Sequence, residues 1–231
     1  MRSRLMSLSR DPDLDGLELV VVPVTAFGQN CSILWDPGSR HAVVVDPGGD
    51  VPRLLHELAS RDLTVDAILL THGHLDHAGG ADALRAELSG RQGAAVPVIG
   101  PDARDAFLLS DIAAQAARYG LEGMRDVTVD RFVTDNEILP LLGRSFEVRH
   151  VPGHTPGHVV FYDPRARFAC VGDTLFRGSV GRTDFPYGDG PQLIKAITDR
   201  LLPLGDDVSI LPGHGGLTTI GAERHGNPFL I

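Results

Sequence analysis

The chain has 231 residues, a length that favours one domain and allows a substantial hydrophobic core. Hydrophobic residues make up 42% and charged residues 22%, a balance that excludes global disorder. Acidic residues outnumber basic ones by 30 to 21, and the formal charge of −9 argues against nonspecific nucleic-acid binding. The sequence has neither an apolar run long enough for a membrane helix nor the apolar core of a secretory signal. We therefore expect a cytoplasmic protein with no nucleic acid and no membrane as a partner, and two cysteines fit that reducing compartment.

The predicted elements divide into two blocks of strands, each with helices appended. Residues 1–16 are polar and are expected to be a flexible extension, followed by one domain over residues 17–231. Apolar runs between turn residues predict strands at 17–24, 31–35, 41–45, 65–70, 96–99, 127–133, 145–151, 159–162, 168–171 and 208–211, the first three as an antiparallel meander. Helical spacing predicts helices at 51–61, 78–88, 102–119 and 192–202. This order predicts an α+β fold, a four-layer αβ/βα sandwich of two facing sheets with helices outside.

The first candidate site is the segment 71–77, which directly follows a predicted buried strand. His72 and His74 are two residues apart on an extended segment, so both side chains project to one side and can bind one ion. Asp76 and His77 lie beyond the turn and can reach a second ion. Four such side chains within six residues at the end of a strand indicate a metal site rather than a solvated loop.

Three later segments repeat this arrangement of a strand followed by a histidine or an aspartate. They are residues 152–158 with His154, residues 172–176 with Asp173, and residues 211–216 with His214. Each segment alone is weak evidence, because a single Gly-His turn is usually structural. Together with the first segment they place metal-binding groups at four strand ends, as a pocket at the edge of a sheet sandwich requires.

The seven candidate ligands are sufficient for two divalent ions. The first expected set is His72, His74 and His154, and the second is Asp76, His77 and His214. Asp173 would bridge the two sets. One ion would receive three nitrogens, and the other two nitrogens and an oxygen. Two ions about 3.5–4 Å apart with a water or hydroxide between them can supply a nucleophile near neutral pH. We expect two Zn2+ ions, with iron or manganese as alternatives.

The four segments, in this order, resemble the metallo-β-lactamase superfamily. The matching sequences are Thr-His-Gly-His-Leu-Asp-His at 71–77, Gly-His-Thr-Pro-Gly at 153–157, Gly-Asp at 172–173 and Gly-His at 213–214. The resemblance covers about residues 17–231 and implies the fold and the metal site, although this scaffold hosts many chemistries. The segments 172–187 and 212–230 further resemble glyoxalase II and its small single-domain relatives. This implies hydrolysis of S-acyl thioesters, such as S-lactoylglutathione or a related thiol ester, by a hydroxide that bridges the metals.

The resemblance also implies roles for individual residues. Asp76 and Asp173 are expected to be catalytic as well as ligands. Arg182 lies where the similar enzymes carry a basic residue that contacts the thiol carrier, and it could clamp a carboxylate. Tyr187 is expected to line the substrate pocket. Asp46, at the end of a predicted strand, is either a carboxylate that orients a ligand imidazole or a simple turn residue.

The main alternative is a persulfide dioxygenase, since that family shares the fold and a similar Gly-Arg-Thr-Asp-Phe segment, here at 181–185. It uses a single iron held by the equivalents of His72, His154 and Asp173. The sequence departs from that family at His158. The dioxygenase segment resembles Gly-His-Thr-x-Gly-Cys, with a cysteine at this position. Phosphodiesterase, β-lactamase or lactonase activity and a metal-binding protein without activity are further alternatives. We expect a small-molecule thioester as the partner and a monomer or a homodimer, with the thiol carrier and the acyl group left open.

Overall fold

The computed structural model describes residues 12–121 and 124–231, and the first sheet lies in the N-terminal part of this range. Its strands lie side by side in chain order: β1 (Glu18–Val24), β2 (Gln29–Trp35), β3 (His41–Val45), β4 (Thr64–Leu69) and β5 (Val98–Ile99). The first three form the predicted antiparallel meander, and β4 and β5 continue the sheet in parallel. The helices of this half are α1 (Val51–Ser60), α2 (Leu75–Ala78), α3 (Ala81–Gln92), α4 (Ala106–Leu109) and α5 (Ile112–Arg118).

The second sheet lies in the C-terminal part of the chain. Its strands are β6 (Ile138–Leu141), β7 (Arg144–His150), β8 (Val159–Asp163), β9 (Phe168–Gly172), β12 (Ser209–Pro212) and β13 (Thr218–Thr219), and a small hairpin of β10 (Leu175–Phe176) and β11 (Ser179–Val180) stands apart from it. Strands β6 to β9 are antiparallel neighbours, and β12 pairs with β9 in parallel. The helices of this half are α6 (Gly190–Ala196) and α7 (Ile220–Gly226).

Alternate residues of the central strands face different layers, because side chains along a strand point to opposite sides. In β3, Val44 packs with the helices of the first half, whereas Val43 and Val45 face the second sheet. In β9, Cys170 faces the first sheet, whereas Ala169 packs with α6. Both faces of these central strands are therefore buried, and the result is the predicted α+β sandwich of four layers.

The helix predicted at 102–119 is divided into a short 3-10 turn, α4 and α5. In a continuous helix the carbonyl oxygen of Leu109 would accept the N–H of Ala113. Here Leu109 instead accepts the N–H of Val127 at 2.9 Å, and Ala113 donates to the carboxylate of Asp126 at 3.0 Å. The prediction of one helix was wrong because a distant segment takes the hydrogen bonds that would join its two parts.

The prediction of a strand at 127–133 was also wrong. The segment makes only an isolated bridge between Arg131 and Ile99 among the described residues, and its apolar ends belong to different clusters, Val127 with the helices and Val133 with the layer between the sheets. Sequence reasoning missed the short strands β6, β10, β11 and β13, and helix α7.

The N-terminal boundary of the packed region lies before residue 17. Residues 1–11 of the predicted extension lie outside the described residues. Leu14 is buried and packs with Leu17 in the apolar layer between the sheets. None of the helices in the described ranges has both the length and the apolar composition that a membrane span requires.

Candidate metal centre

The loops that follow β4, β7, β9 and β12 meet at one edge of the sandwich. The side chains they bring together are His72, His74, Asp76 and His77 from the first loop, His154 from the second, Asp173 from the third and His214 from the fourth. All seven predicted ligands therefore lie in one cluster, to which one loop of the first sheet and three loops of the second sheet contribute.

The first set consists of three buried histidines whose nitrogens converge. Nδ1 of His74 lies 3.1 Å from Nε2 of His72 and 2.9 Å from Nε2 of His154. Burial and the neighbouring histidines hold the pKa of His72 well below its ordinary value, and burial together with His154 lowers the pKa of His74 to about 3. Neutral imidazoles with free lone pairs are the form that binds a metal ion.

The second set combines one carboxylate with two histidines. Oδ2 of Asp76 lies 3.2 Å from Nε2 of His214 and 3.9 Å from Nε2 of His77. Asp173 reaches both sets: its Oδ2 is 3.7 Å from Nε2 of His154 and 3.7 Å from Nε2 of His214, while its Oδ1 is 3.3 Å from His77. This is the position of a bridging carboxylate.

The charges of the second set favour a cation. Burial opposes the charged form of His77, but Asp173 and Asp76 outweigh it and raise the pKa of His77 well above its ordinary value. Burial likewise opposes ionisation of Asp173, yet His77 and His154 hold the pKa of that carboxyl well below its ordinary range. The carboxylates of this set therefore stay ionised in a buried place, where a divalent cation would compensate their charge.

Two buried atoms test whether these residues fit metal ions. Nε2 of His77 and Oδ1 of Asp173 have no hydrogen-bond partner among the described residues, although such groups are normally paired. A cation between them would satisfy both. The space is kept open by Gly213, since a Cβ there would lie 2.2 Å from Oδ1 of Asp173. The donor set and this orphaned pair fit a divalent metal.

Hydrogen bonds to the far side of each imidazole fix the ligands of the first loop. Asp46 accepts from Nδ1 of His77 at 2.8 Å and from the N–H and hydroxyl of Thr71 at 2.7 and 2.6 Å. Thr71 in turn contacts Nδ1 of His72 at 3.0 Å. Such partners set which ring nitrogen faces a metal. Of the two alternatives for Asp46, the geometry favours the orienting role.

The two predicted substrate residues also contact histidines of the first ligand set. The main-chain oxygen of Arg182 lies 2.7 Å from Nδ1 of His154, and the hydroxyl of Tyr187 lies 2.9 Å from Nε2 of His74. The guanidinium of Arg182 points elsewhere and forms two hydrogen bonds of 2.7 and 2.8 Å with Asp184. The side chain expected to clamp a substrate carboxylate is thus already paired with a carboxylate of the chain.

His158 is buried beside the first set and contacts residues of two metal loops. Its Nε2 accepts the N–H of Asp173 at 3.0 Å, and its ring stacks on that of His72 at 4.7 Å. Gly172 has a left-handed φ of +49°, and a Cβ there would lie 2.7 Å from Nε2 of His158. The glycine therefore allows the close approach that places Asp173.

Asp105 connects two metal loops and was missed from the sequence. Its carboxylate accepts the N–H of Gly73 at 3.0 Å, the hydroxyl of Thr155 at 2.7 Å and the N–H of Gly157 at 2.5 Å. Burial raises the pKa of Asp105 to about 6, although these three donors oppose the rise. The sequence contained a signal, since Asp105 lies four residues before Leu109, on the apolar face of the predicted helix.

Asn30 fixes the loop that carries His214. Its side-chain amide donates to the carbonyls of Pro212 and Gly215 at 3.0 and 2.8 Å, and its N–H donates to that of Gly213 at 2.7 Å. The sequence predicts a turn at residues 27–30, whereas β2 already begins at Gln29. No local pattern indicates that Asn30 binds a loop far along the chain.

Comparison with known proteins identifies the family. Residues 24–214 match the model of the metallo-β-lactamase superfamily. The chain belongs to that superfamily. This metallo-β-lactamase-fold chain is 46% identical over 215 residues to hydroxyacylglutathione hydrolase GloC of Haemophilus influenzae, covering 93% of its own length and 98% of the relative.

Two solved structures share the superfamily fold at the same level of sequence identity. The crystal structure of the B3 metallo-β-lactamase BLEG-1 has a TM-score of 0.84 and 35% identity, covering 92% of this chain and 99% of that one. The structure of TTHA1623 in a di-iron-bound form has a TM-score of 0.78 and 35% identity, covering 91% of this chain and 100% of that one. The predicted fold and family are both confirmed.

Proposed function

We propose that this protein is a dinuclear metal-dependent hydrolase that cleaves S-acyl thioesters. The observation that carries the proposal is the position of Asp173, whose two oxygens reach both ligand sets. The near full-length similarity to a hydroxyacylglutathione hydrolase supports the thioester as the substrate class.

The ligand sets would each hold one divalent ion, His72, His74 and His154 the first and Asp76, His77 and His214 the second. Two ions bound there would supply hydroxide near neutral pH and would stabilise negative charge on a substrate oxygen. Asp173 holds the two sets at a fixed separation. We propose zinc as the native metal, and the di-iron form of TTHA1623 makes iron the first alternative.

A thioester suits this centre because its leaving group needs no proton. Burial raises the pKa of Asp76, but His77 and His214 outweigh it and hold that pKa below its ordinary value. Asp76 is therefore ionised at neutral pH and cannot donate a proton to a departing amine. A thiolate leaves without one. Asp76 serves the reaction by orienting His214 and by its charge.

The test is a panel of thioesters with different thiols and acyl groups, assayed with protein of measured zinc and iron content. We expect two metal equivalents per chain and hydrolysis that disappears in Asp173→Ala and persists in Asp199→Ala. Asp199 is an exposed carboxylate paired with Lys195, and it serves as the matched control. One bound iron and oxygen uptake with a persulfide would instead establish the dioxygenase.

A further inference from the structure

A strip of aromatic rings leads from the metal centre to the surface. The ring of Phe185 lies 4.8 Å from that of His74, and Tyr187 stacks on Phe185 at 5.4 Å with 11° between the planes. Phe107 meets Tyr187 edge to face at 5.4 Å. We call Phe185, Tyr187 and Phe107 the aromatic strip. The strip begins next to His74, a predicted metal ligand, and ends at Phe107, which is 47% exposed.

A second pair of aromatic rings lies at the C-terminal end of α5. Tyr119 is 56% exposed, and its ring packs on that of Phe27 at 5.3 Å. Tyr119 directly follows α5, whose Gln115 accepts the N–H of Leu75, the residue after His74, at 3.1 Å. Exposed aromatic groups gathered at the mouth of a polar centre are typical of a surface that binds an apolar group.

The charges around the strip are already compensated. The guanidinium of Arg182 is paired with Asp184 and lies 4.6 Å from the centre of the Phe185 ring, so it extends the flat surface. Arg118 is paired with Asp111 at 3.3 Å. A neutral apolar group therefore fits this surface better than an anionic carrier, whose carboxylate would have to displace Asp184.

We propose that the aromatic strip binds an apolar group of the substrate, an aryl or alkyl chain next to the thioester, and so sets substrate preference. This inference rests on the proposed thioester hydrolysis. Phe107 lies three ring contacts beyond His74 along the strip, so a short acetyl or lactoyl group does not reach it, whereas a phenylacetyl or octanoyl group does. The acyl group and the thiol can each carry such a chain.

The experiment compares two substrate series. In the first, one small thiol, N-acetylcysteamine, carries acetyl, lactoyl, phenylacetyl or octanoyl groups. In the second, one acetyl group is joined to N-acetylcysteamine or to phenylmethanethiol. We expect an apolar group in one series to raise kcat/KM about tenfold, because it covers exposed rings. The series that shows the gain identifies the side of the substrate that lies on the strip.

Phe107→Ala should remove most of that preference, so that the apolar ester and the acetyl ester are hydrolysed with similar kcat/KM. Phe229→Ala is the matched control, since Phe229 is 53% exposed and its ring makes no contact with the strip among the described residues. Equal behaviour of the two variants, or the absence of a preference in the wild type, overturns the inference.

A binding measurement separates this inference from the proposed reaction. Calorimetry with a non-hydrolysable phenylmethyl thioether should give a dissociation constant about tenfold larger for Phe107→Ala than for Phe229→Ala. If no thioester is hydrolysed but this difference appears, the proposed function fails and the strip remains a binding surface. If thioesters are hydrolysed and the difference is absent, the strip has no role in recognition.

Discussion

The two ligand sets of the metal centre differ in burial, in charge and in the way they are built. His72, His74 and His154 are buried, and their low pKa values keep them neutral. In the second set, the side chains of Asp76 and His214 are 18% and 31% exposed, and the carboxylate of Asp76 is ionised. The first set therefore offers a rigid pocket of neutral donors, whereas the second includes a charged ligand and lies closer to solvent.

The largest effect should come from the residue that the two sets share. We expect Asp173→Ala to lower kcat/KM for a thioester by about a thousandfold and to reduce metal content in both sets, because both lose a ligand. Metal analysis and steady-state kinetics on the same preparation measure this. If one set kept its ion at unchanged affinity, the two sets would be independent and Asp173 would not bridge them.

The difference in exposure between the sets predicts an order of metal loss. Titration with a chelator should remove the ion of the second set first. His214→Ala should lower the affinity of the second set for its ion by about a hundredfold, while the ion of the first set stays bound. His154→Ala should give the opposite pattern. Metal content measured after each chelator step checks the order. Simultaneous loss of both ions in the wild type would contradict the comparison.

Asp105 should affect the first set more than the second. In Asp105→Asn, an amide NH2 group replaces one of the two carboxylate oxygens and faces a hydrogen-bond donor. We therefore expect a loss of about 1–3 kcal/mol in the free energy of unfolding. The affinity of the first ion should fall about tenfold, because the loops of His72 and His154 separate. Asp111→Asn, an exposed change nearby, is the control. Chemical denaturation and metal titration measure both effects, and an equal loss in both sets would make Asp105 a general stabiliser.

The smallest effect is expected at Arg182. Its main-chain oxygen holds His154, a contact that alanine keeps, and its guanidinium is paired with Asp184. We expect Arg182→Ala to raise KM by less than about threefold for thioesters with and without a carboxylate, as for an exposed ion pair. A large rise confined to carboxylate-bearing thioesters would instead establish the substrate clamp.

The sequence was sufficient for features set by local pattern. Apolar runs between turn residues indicated the main strands, and the spacing of His72 and His74 placed both side chains on one side of their segment. Features set by distant partners were not predictable. The carbonyl of Leu109 is taken by Val127, and this divides the helix predicted at 102–119. The place of Asp105 on the apolar face of the predicted helix indicated burial, but not that its partners would lie 32 to 52 residues away.

The contact of Asn30 with the loop of His214 has a consequence for synthesis. The two parts are separated by more than 180 residues, and His214 is the last ligand to be made. A chain growing on the ribosome therefore exposes Asp76 and His77 long before their third partner exists. The second set can be completed only when residue 214 has emerged. An ion held by all three residues of this set can therefore bind only after the loop of His214 has been made and has met the strand of Asn30.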